Sequence, residues 1–528
     1  MLNKLLQHVS AAPTNPHPGG GPGQPAFDVA ELYQGPATSG SRAGTGPAGL
    51  DEKLRQAYFW IVNNAIISPY YDIEYNDGPS ASFVLGDTKS RFNLPSGQSY
   101  SSFVLLPLLN FAVRKRCLLV GGPGRGKTAS AILMSLLAGY SLRDTRRAMQ
   151  HGQPQMTIAD LLGNPLPSDL VTAQSMEGIR IAWRKWLGQR VKIIDEYNRI
   201  PTRTQSALLT LMADNYAEIL DQVFEAPDSA WYLTANDDAG GGTYQVIEAL
   251  RDRIDIVVRA LPFNTRFLPN LLDRIEQGYR PETLVPEAII FNEGEVDALE
   301  KQIRAVTLPA PVRRRLEFFV GQFEFFEPAA DQLEYKTKDV AKLAGADLAE
   351  LAASETGKDK LKDIGAQTRN GLSVRALMTI MTFAKALAYF RGNRIVELED
   401  LRQITPFVLH DKLTPEPEAP FFQQPEHVVY KADRVGWIRK LFDLACAEYD
   451  RLDLDRTDTV GALQAEFERG LDGLKEAEVR KRLTAIERQI KAIASGRKLY
   501  GPMYDDLLKL KYLHQRYSNF LRWLQTAS

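Results

Sequence analysis

The sequence predicts an α/β protein: a parallel sheet sandwiched by helices, then an all-α region, then a C-terminal helical hairpin. Three patterns predict it. Short apolar β-runs alternate with helical stretches up to about Leu261, as parallel strands joined by crossover helices do. Beyond Leu261 the helical periodicity continues while strand signals fade. Near the end, Val479, Leu483, Ile486, Ile490 and Ile493 step by alternating fours and threes, and so do Leu510, Leu513, Tyr517, Phe520 and Leu524. Two such seams packed on each other make a helical hairpin.

The elements follow in order. Residues 1–50 read as a flexible arm, because the stretch 11–49 is rich in Pro, Gly, Ala and Ser and buries too little apolar surface to offset its ordering entropy. A core with an N-terminal extension spans 51–265. It opens with a buried helix over AYFWIVNNAII, short strands or turns at SFVLG and FNLPSG, and a helix over SFVLLPLLNFAVRK. That helix leads into an apolar strand at 117–120, a glycine-rich turn and the helical run ASAILMSLLAGY. Further buried strands are expected at 191–194 and 231–235. Residues 266–415 form the all-α region, with EVDALEKQIRAV, RRRLEFFVGQF and VRALMTIMTFAKALAYF as helices and an Ala-, Lys- and Asp-rich insertion near 328–370. The Pro-rich stretch 413–427 opens the last unit, 416–528, a linker followed by the hairpin.

Composition narrows the function. The 528 residues are 44% hydrophobic and 24% charged, with a formal net charge of -1. That balance argues for no nucleic-acid or membrane partner, since phosphate binding needs an excess of Lys and Arg. Two cysteines, Cys117 and Cys446, lie far apart without metal-ligand spacing. The first residues carry no secretory pattern and no run is apolar enough to span a bilayer, so a cytoplasmic protein is expected.

The densest chemistry is Gly121-Gly122-Pro123-Gly124-Arg125-Gly126-Lys127-Thr128, a match to G-x-x-x-x-G-K-[ST] between an apolar strand and a helix. Glycines let such a loop wrap a phosphate closely, with backbone N–H groups and the helix N-terminus facing the anion. Lys127 is then placed to reach the β- and γ-phosphates, and the Thr128 hydroxyl to ligate Mg²⁺. Downstream, Val191-Lys192-Ile193-Ile194 ends in Asp195-Glu196. Neighbouring strand residues diverge, so the two acids can serve two tasks: Asp195 on Mg²⁺, Glu196 on an attacking water.

The strand at 231–235 ends in Asn236, which can reach a γ-phosphate or lytic water if the loop-bearing and acid-bearing strands are neighbours. Arg253, in Glu248-Ala249-Leu250-Arg251-Asp252-Arg253, is a candidate to stabilise a transferring phosphoryl group, although a surface ion-pair cluster reads the same way.

Together these motifs resemble the AAA+ ATPases, and within them the MoxR family. The resemblance rests on Asp195-Glu196-Tyr197-Asn198-Arg199 followed by Thr204-Gln205-Ser206-Ala207-Leu208-Leu209, and on Gly242-Thr243-Tyr244 before Glu248-Ala249-Leu250 and Asp252-Arg253. Asp160-Leu161-Leu162-Gly163 and Leu166-Pro167-Ser168-Asp169 are similar to the helix-2 insert region. Ser373-Val374-Arg375-Ala376, Asp400-Leu401 and Val408-Leu409-His410 are similar to the lid. The resemblance covers roughly 110–415 and implies an AAA+ P-loop core at 51–265 and a helical lid at 266–415.

It further implies ATP and Mg²⁺ as ligands and ATP hydrolysis as the reaction. Asn236 would be sensor 1, and Arg375 a sensor 2 contacting the nucleotide from the lid. Arg253 would be the arginine finger, with Arg251 as the alternative. A finger that works in trans implies a homo-oligomeric ring, most often a hexamer. The resemblance also implies a role in remodelling or maturing a client, with a von Willebrand factor A domain protein as partner. Tyr197 replaces the family's usual aliphatic residue, and neither 51–110 nor the tail from about 430 has a counterpart.

Two other classes compete: a nucleic-acid-directed motor or restriction-type NTPase, against which the charge balance stands, and a regulatory module that binds nucleotide without turnover. Elsewhere His410 reads as a packed residue, Arg313-Arg314-Arg315 as a solvated helix face, and the FEFFEP run around Phe323 as core or interface.

Overall fold

The computed structural model describes residues 49–65, 70–173, 175, 178–236, 248–260, 268–324, 362–451, 453–455, 458–495 and 501–527. The arm up to residue 48, the Gly242-Thr243-Tyr244 run, residues 328–361 of the 328–370 insertion and the turn at 496–500 lie outside the described residues.

Five parallel strands form the frame: β1 (Arg116–Val120), β2 (Gln150–His151), β3 (Val191–Asp195), β4 (Ala230–Ala235) and β5 (Ile256–Arg259), in the order β5-β1-β4-β3-β2. Successive strand side chains point to opposite faces. Cys117, Leu119, Ile193, Tyr232 and Ile256 therefore enter one core, while Leu118, Ile194, Trp231, Leu233 and Val257 enter the other. Burial on both faces is why these strands read as near-continuous apolar runs.

The larger core is filled first by α1 (Leu50–Asn64), α2 (Ser102–Val113) and α3 (Lys127–Leu137). α2 is buried all round, and Tyr232 donates its hydroxyl to the Pro107 carbonyl of α2 at 2.8 Å. The other face is covered by α4 (Thr202–Asp214) and the short α5 (Glu248–Arg253), through Leu208, Leu211 and Leu250. Two antiparallel hairpins that the sequence patterns do not announce, 163–165 with 181–183 and 216–219 with 222–225, sit in the connections. Each strand has only three or four residues, too short for a period-2 signal.

Beyond the sheet come α6 (Glu293–Arg304), α7 (Ala310–Gly321), α8 (Val374–Phe390), α9 (Leu398–Leu409) and α10 (Arg434–Arg451). Leu299, Phe319, Phe383, Leu387, Phe407 and Trp437 of these helices join the same core as α1, α2 and the first sheet face. The helical region is thus continuous with the sheet core. Polar ties add to this. Glu295 closes a capping box with Asn292 at the start of α6 and takes Lys53 of α1 at 2.9 Å. Ser373 caps α8 and donates to Asp252 at the end of α5 at 2.9 Å. The most buried tie joins the extension to α9: Tyr75 donates to Asp400 at 2.8 Å, Arg391 reaches the same carboxylate oxygen at 3.0 Å, and the guanidinium lies 3.7 Å over the Tyr75 ring. The Asp400 side chain is fully buried, and that burial pushes its pKa up against the pull of Arg391.

Two readings of this half change. The stretch at 413–427 is packed rather than a free linker: Phe421 and Phe422 are buried and His427 stacks on Phe421 at 4.0 Å. An apolar pair amid prolines seats the chain against Trp437. Of the three arginines at 313–315, only Arg313 pairs along its own helix face. Arg314 binds Asp455 and Arg315 binds Asp450 and Asp455, across from α10 and the turn after it. His410 is buried, with Nδ1 2.9 Å from the Pro406 carbonyl oxygen.

The tail folds on a core of its own. α11 (Thr459–Glu468), α12 (Glu476–Ala494) and α13 (Gly501–Ala527) enclose Val460, Val479, Ile486, Leu510, Leu513 and Tyr517. Among the described residues no helix is long and apolar enough to cross a membrane, and Cys117 and Cys446 are unpaired thiols.

Candidate nucleotide-binding site

Parallel register lines up the strand ends. Ala235 pairs with Val120, Leu233 with Ile194 and His151 with Asp195, so β1, β4, β3 and β2 all stop at one level. The residues that leave them, Gly121, Asn236, Glu196 and Gly152, therefore stand in a row at the carboxyl edge of the sheet, where ligands bind in open α/β folds. The loop strand and the acid strand are not neighbours as the sequence reading supposed, because β4 lies between them. That placement makes Asn236 the bridge between the two.

The loop from Gly121 to Thr128 turns from β1 into α3. Gly124 and Gly126 have φ of 71° and 79°, left-handed values that L side chains avoid. At Gly121 a Cβ would come within 2.8 Å of the Ala260 carbonyl oxygen, so only glycine lets the loop pass beside the end of β5. The Arg125 guanidinium reaches the same carbonyl at 3.3 Å. Lys127 is buried, and its ammonium is held by Gly121 O at 2.5 Å, Gly122 O at 2.7 Å and Asn236 Oδ1 at 2.9 Å.

The acids complete the cluster. Asp195 Oδ1 accepts from Thr128 Oγ1 at 2.8 Å and Thr234 Oγ1 at 2.6 Å, and His151 Nδ1 lies 3.6 Å from Oδ2. Thr128 and Asp195 thus place two hard oxygen ligands beside the phosphate loop. Among the described residues no group of three or more His, Cys, Asp or Glu could form a protein-only metal cage. That donor set fits Mg²⁺, which prefers one or two protein oxygens plus phosphate and water. Glu196 has φ of 54°, and its amide is held by Thr234 Oγ1 at 2.9 Å. Its carboxylate accepts from Asn236 Nδ2 at 3.2 Å and Arg199 Nη1 at 2.8 Å.

The remaining candidates lie elsewhere. α5 ends just before Asp255, whose amide bonds the Arg116 carbonyl where the strands begin. Arg253 is therefore near the sheet end opposite the glycine-rich loop, about one strand length away, on the order of 15 Å for five residues. Arg375, at the start of α8, does not meet the loop of its own chain. It binds Asp252 at 2.6 Å, while Thr379 one turn on binds Asp255 at 2.7 Å. The sequence reading placed Arg375 over the nucleotide from the lid, but α8 docks on the strand-start end through Asp252 and Asp255. Arg251 reaches Asp411, after α9, with its closest contact to the carbonyl at 2.9 Å.

Three residues were given no task from sequence, two beside the cluster and one at the start of β3. Gly152 donates to the Asp195 carbonyl at 2.7 Å, and a Cβ there would lie 2.1 Å from the Glu196 oxygen. Arg199 sits within a family motif that gives it no task. Lys192, inside β3, is buried under Trp231, donates to Gln189 O at 2.7 Å and also contacts Ser229; burial pushes its ammonium down to about 7. A lysine amid three apolar neighbours was the available signal. Beside the first turn of α3, a cavity of about 120 Å³ is lined by Ala129, Ser130, Leu133, Ile61, Phe103 and Val104 among others, largely apolar and walled by the extension.

A glycine-rich phosphate loop, an acid pair and an asparagine amide aligned on one sheet edge define a P-loop nucleotide-binding protein. Comparison with known proteins is specific about which. Residues 116–256 match the ATPase family associated with various cellular activities, and 362–431 match the AAA lid domain. "Chaperone MoxR1" of Mycobacterium tuberculosis is 25% identical over 252 residues, which are 47% of this chain and 58% of that protein. The chain thus spans little more than half the length of that relative. A crystal structure of a candidate ATPase from Cytophaga hutchinsonii superposes with a TM-score of 0.44 at 17% identity, over 72% of this chain and 93% of that one. Residues 116–256 and 362–431 thus carry the AAA ATPase core and the AAA lid, and the likeness to a curated protein is to one of the MoxR type.

Proposed function

We propose that the chain binds ATP with Mg²⁺ and hydrolyses it as one protomer of a homo-oligomeric ring, most simply a hexamer, and uses the cycle to remodel or mature a client protein. The observation that carries this reading is the convergence of Lys127, Thr128, Asp195, Glu196 and Asn236 on one sheet edge while Arg253 stands at the other end. The loop and the α3 N-terminus hold the phosphates, and Lys127 exchanges its carbonyl and amide partners for phosphate oxygens. Thr128 and Asp195 would hold Mg²⁺, which would supply charge neutralisation at the phosphates. The apolar cavity beside α3 takes the base. Glu196 polarises the attacking water and Asn236 orients it against the γ-phosphate.

A site completed by arginine needs that arginine from a neighbour, because Arg253 and Arg375 are both too far from the loop of their own chain. We assign Arg253 the finger role, with Arg375 beside it on the same edge; Arg251 is committed to Asp411. A von Willebrand factor A domain protein as partner, and a cytoplasmic setting, are the parts that rest on likeness to MoxR-type proteins alone. Two variants test the core. Glu196→Gln should retain Mg-ATP while losing turnover by a hundredfold or more, roughly the scale of removing a general base. Lys127→Ala should lose the nucleotide itself. Full turnover by Glu196→Gln would overturn the assignment.

A further inference from the structure

The cluster at the loop is a chain of bonds with a direction. Lys127 donates to Asn236 Oδ1 at 2.9 Å, Asn236 Nδ2 donates to Glu196 Oε1 at 3.2 Å, and Arg199 Nη1 donates to Glu196 Oε2 at 2.8 Å. The two carboxylate oxygens thus have different partners. Oε1 is tied through Asn236 to the phosphate-binding lysine, and Oε2 is tied to a guanidinium on the following turn. A γ-phosphate that takes Lys127 must compete for the donor now given to Asn236. Once that bond is exchanged, Asn236 is released to turn, and Oε1 is free to accept from water. Oε2 keeps its partner, because among the described residues Arg199 bonds Glu196 and makes no bond to the loop.

The backbone beneath Glu196 is fixed independently of Arg199's side chain. The Glu196 amide is bonded to Thr234 Oγ1 at 2.9 Å, its carbonyl accepts the Arg199 amide at 2.9 Å, and Gly152 packs so closely that a Cβ would lie 2.1 Å from that carbonyl oxygen. Only the side-chain torsions are left to set, and a base in such a site needs a third group to orient it. Within the cluster Arg199 has the geometry for that: it is three residues on, at the end of the short turn Tyr197–Arg199, with its side chain 42% exposed. Its partial exposure makes the ion pair a weak contributor to stability, so its distance and placement point to orientation rather than to holding the fold.

We propose that Arg199 is a positioning residue for hydrolysis: it fixes Glu196 through Oε2, so that Oε1 faces the γ-phosphate when Asn236 lets go. This rests on the reading of Glu196 as the group that polarises water. Arg199 touches neither nucleotide nor water and acts through Glu196.

The test compares Arg199→Ala, Arg199→Lys, Glu196→Gln and the double variant Arg199→Ala/Glu196→Gln in full-length protein. Steady-state ATP turnover is measured alongside Mg-ATP binding with a fluorescent ATP analogue. Arg199→Ala should lower kcat by about ten- to a hundredfold, with KM and analogue affinity within about threefold of wild type, the pattern of a group used only in the chemical step. Arg199→Lys should recover part of the loss, since it restores the cation without the planar fork. The double variant should be no slower than Glu196→Gln, because residues acting as a unit do not add. If Glu196→Gln is inactive and Arg199→Ala turns over at the wild-type rate, the positioning role is wrong and the base stands. If Glu196→Gln itself turns over normally, the base reading fails first. Weakened analogue binding by Arg199→Ala, with kcat unchanged, would place Arg199 on the nucleotide and also overturn the proposal.

Discussion

At the scale of single residues, the site is set by what cannot be larger than glycine. Gly121 lets the phosphate loop pass the end of β5, and Gly152 lets β2 lie against the carbonyl of Glu196. Replacing Gly152 with Ala must push one of these chains aside, because the atom met is backbone and cannot swing away. The expected outcome is a fall in kcat on the order of a hundredfold, the usual penalty for misplacing a catalytic group by about an ångström, with ATP binding retained. Turnover of Gly152→Ala at several ATP concentrations checks it.

That the loop glycines, Lys127, Thr128, Asp195, Glu196 and Asn236 come together was legible in the sequence, because each lies in a local motif or directly after an apolar strand. Gly152 and Lys192 were not: one matters only through a partner 44 residues later, the other only because β3 buries a lysine against Trp231. Arg375 was legible as a residue but not as a position, since where α8 docks is decided by Asp252 and Asp255 and not by its own sequence.

At the scale of elements, the extension before β1 belongs to the helical region as much as to the sheet. α1 and α2 share one core with α6, α8 and α9, and Arg391, Asp400 and Tyr75 lock the extension to α9. The sequence showed these helices by their apolar runs, yet could not show that one core includes them all, because each run satisfies many packings. The Arg391–Asp400 pair should be costly to break from one side. Arg391→Ala leaves a fully buried carboxylate without its cation, which costs about 3–5 kcal/mol. Thermal unfolding should show a lowered Tm for Arg391→Ala, and a smaller drop for the double change Arg391→Met/Asp400→Leu, which removes both charges. Equal losses in the two variants would mean that the charges are not the source of the stability.

At the scale of the whole molecule, three cores divide the labour. One sheet face and the lid helices share a continuous hydrophobic cluster, the other sheet face packs on α4 and α5, and α11, α12 and α13 enclose the third. A chain ending at residue 457 should therefore keep Mg-ATP affinity within about threefold of the full protein, because no loop, sensor or acid residue lies in the tail. Equilibrium binding of a fluorescent ATP analogue checks this. The apolar seams at 479–493 and 510–524 announced the hairpin, and the third helix at Thr459–Glu468 went unseen because its apolar residues, Val460, Leu463 and Phe467, make too short a series to show a period.

The claim on which the account turns is that one protomer supplies the phosphate loop and acids while the next supplies Arg253. It is tested most directly by mixing two inactive variants. Arg253→Ala keeps its own loop and Glu196, and Glu196→Gln keeps its own Arg253. Each alone should hydrolyse ATP at a small fraction of the wild-type rate. Co-assembled in equal parts, they should regain on the order of a quarter of that rate, since random mixing pairs an intact loop with an intact arginine at about one junction in four. A mixture no faster than its parts, or an Arg253→Ala protein that alone turns over at the wild-type rate, would contradict a shared site.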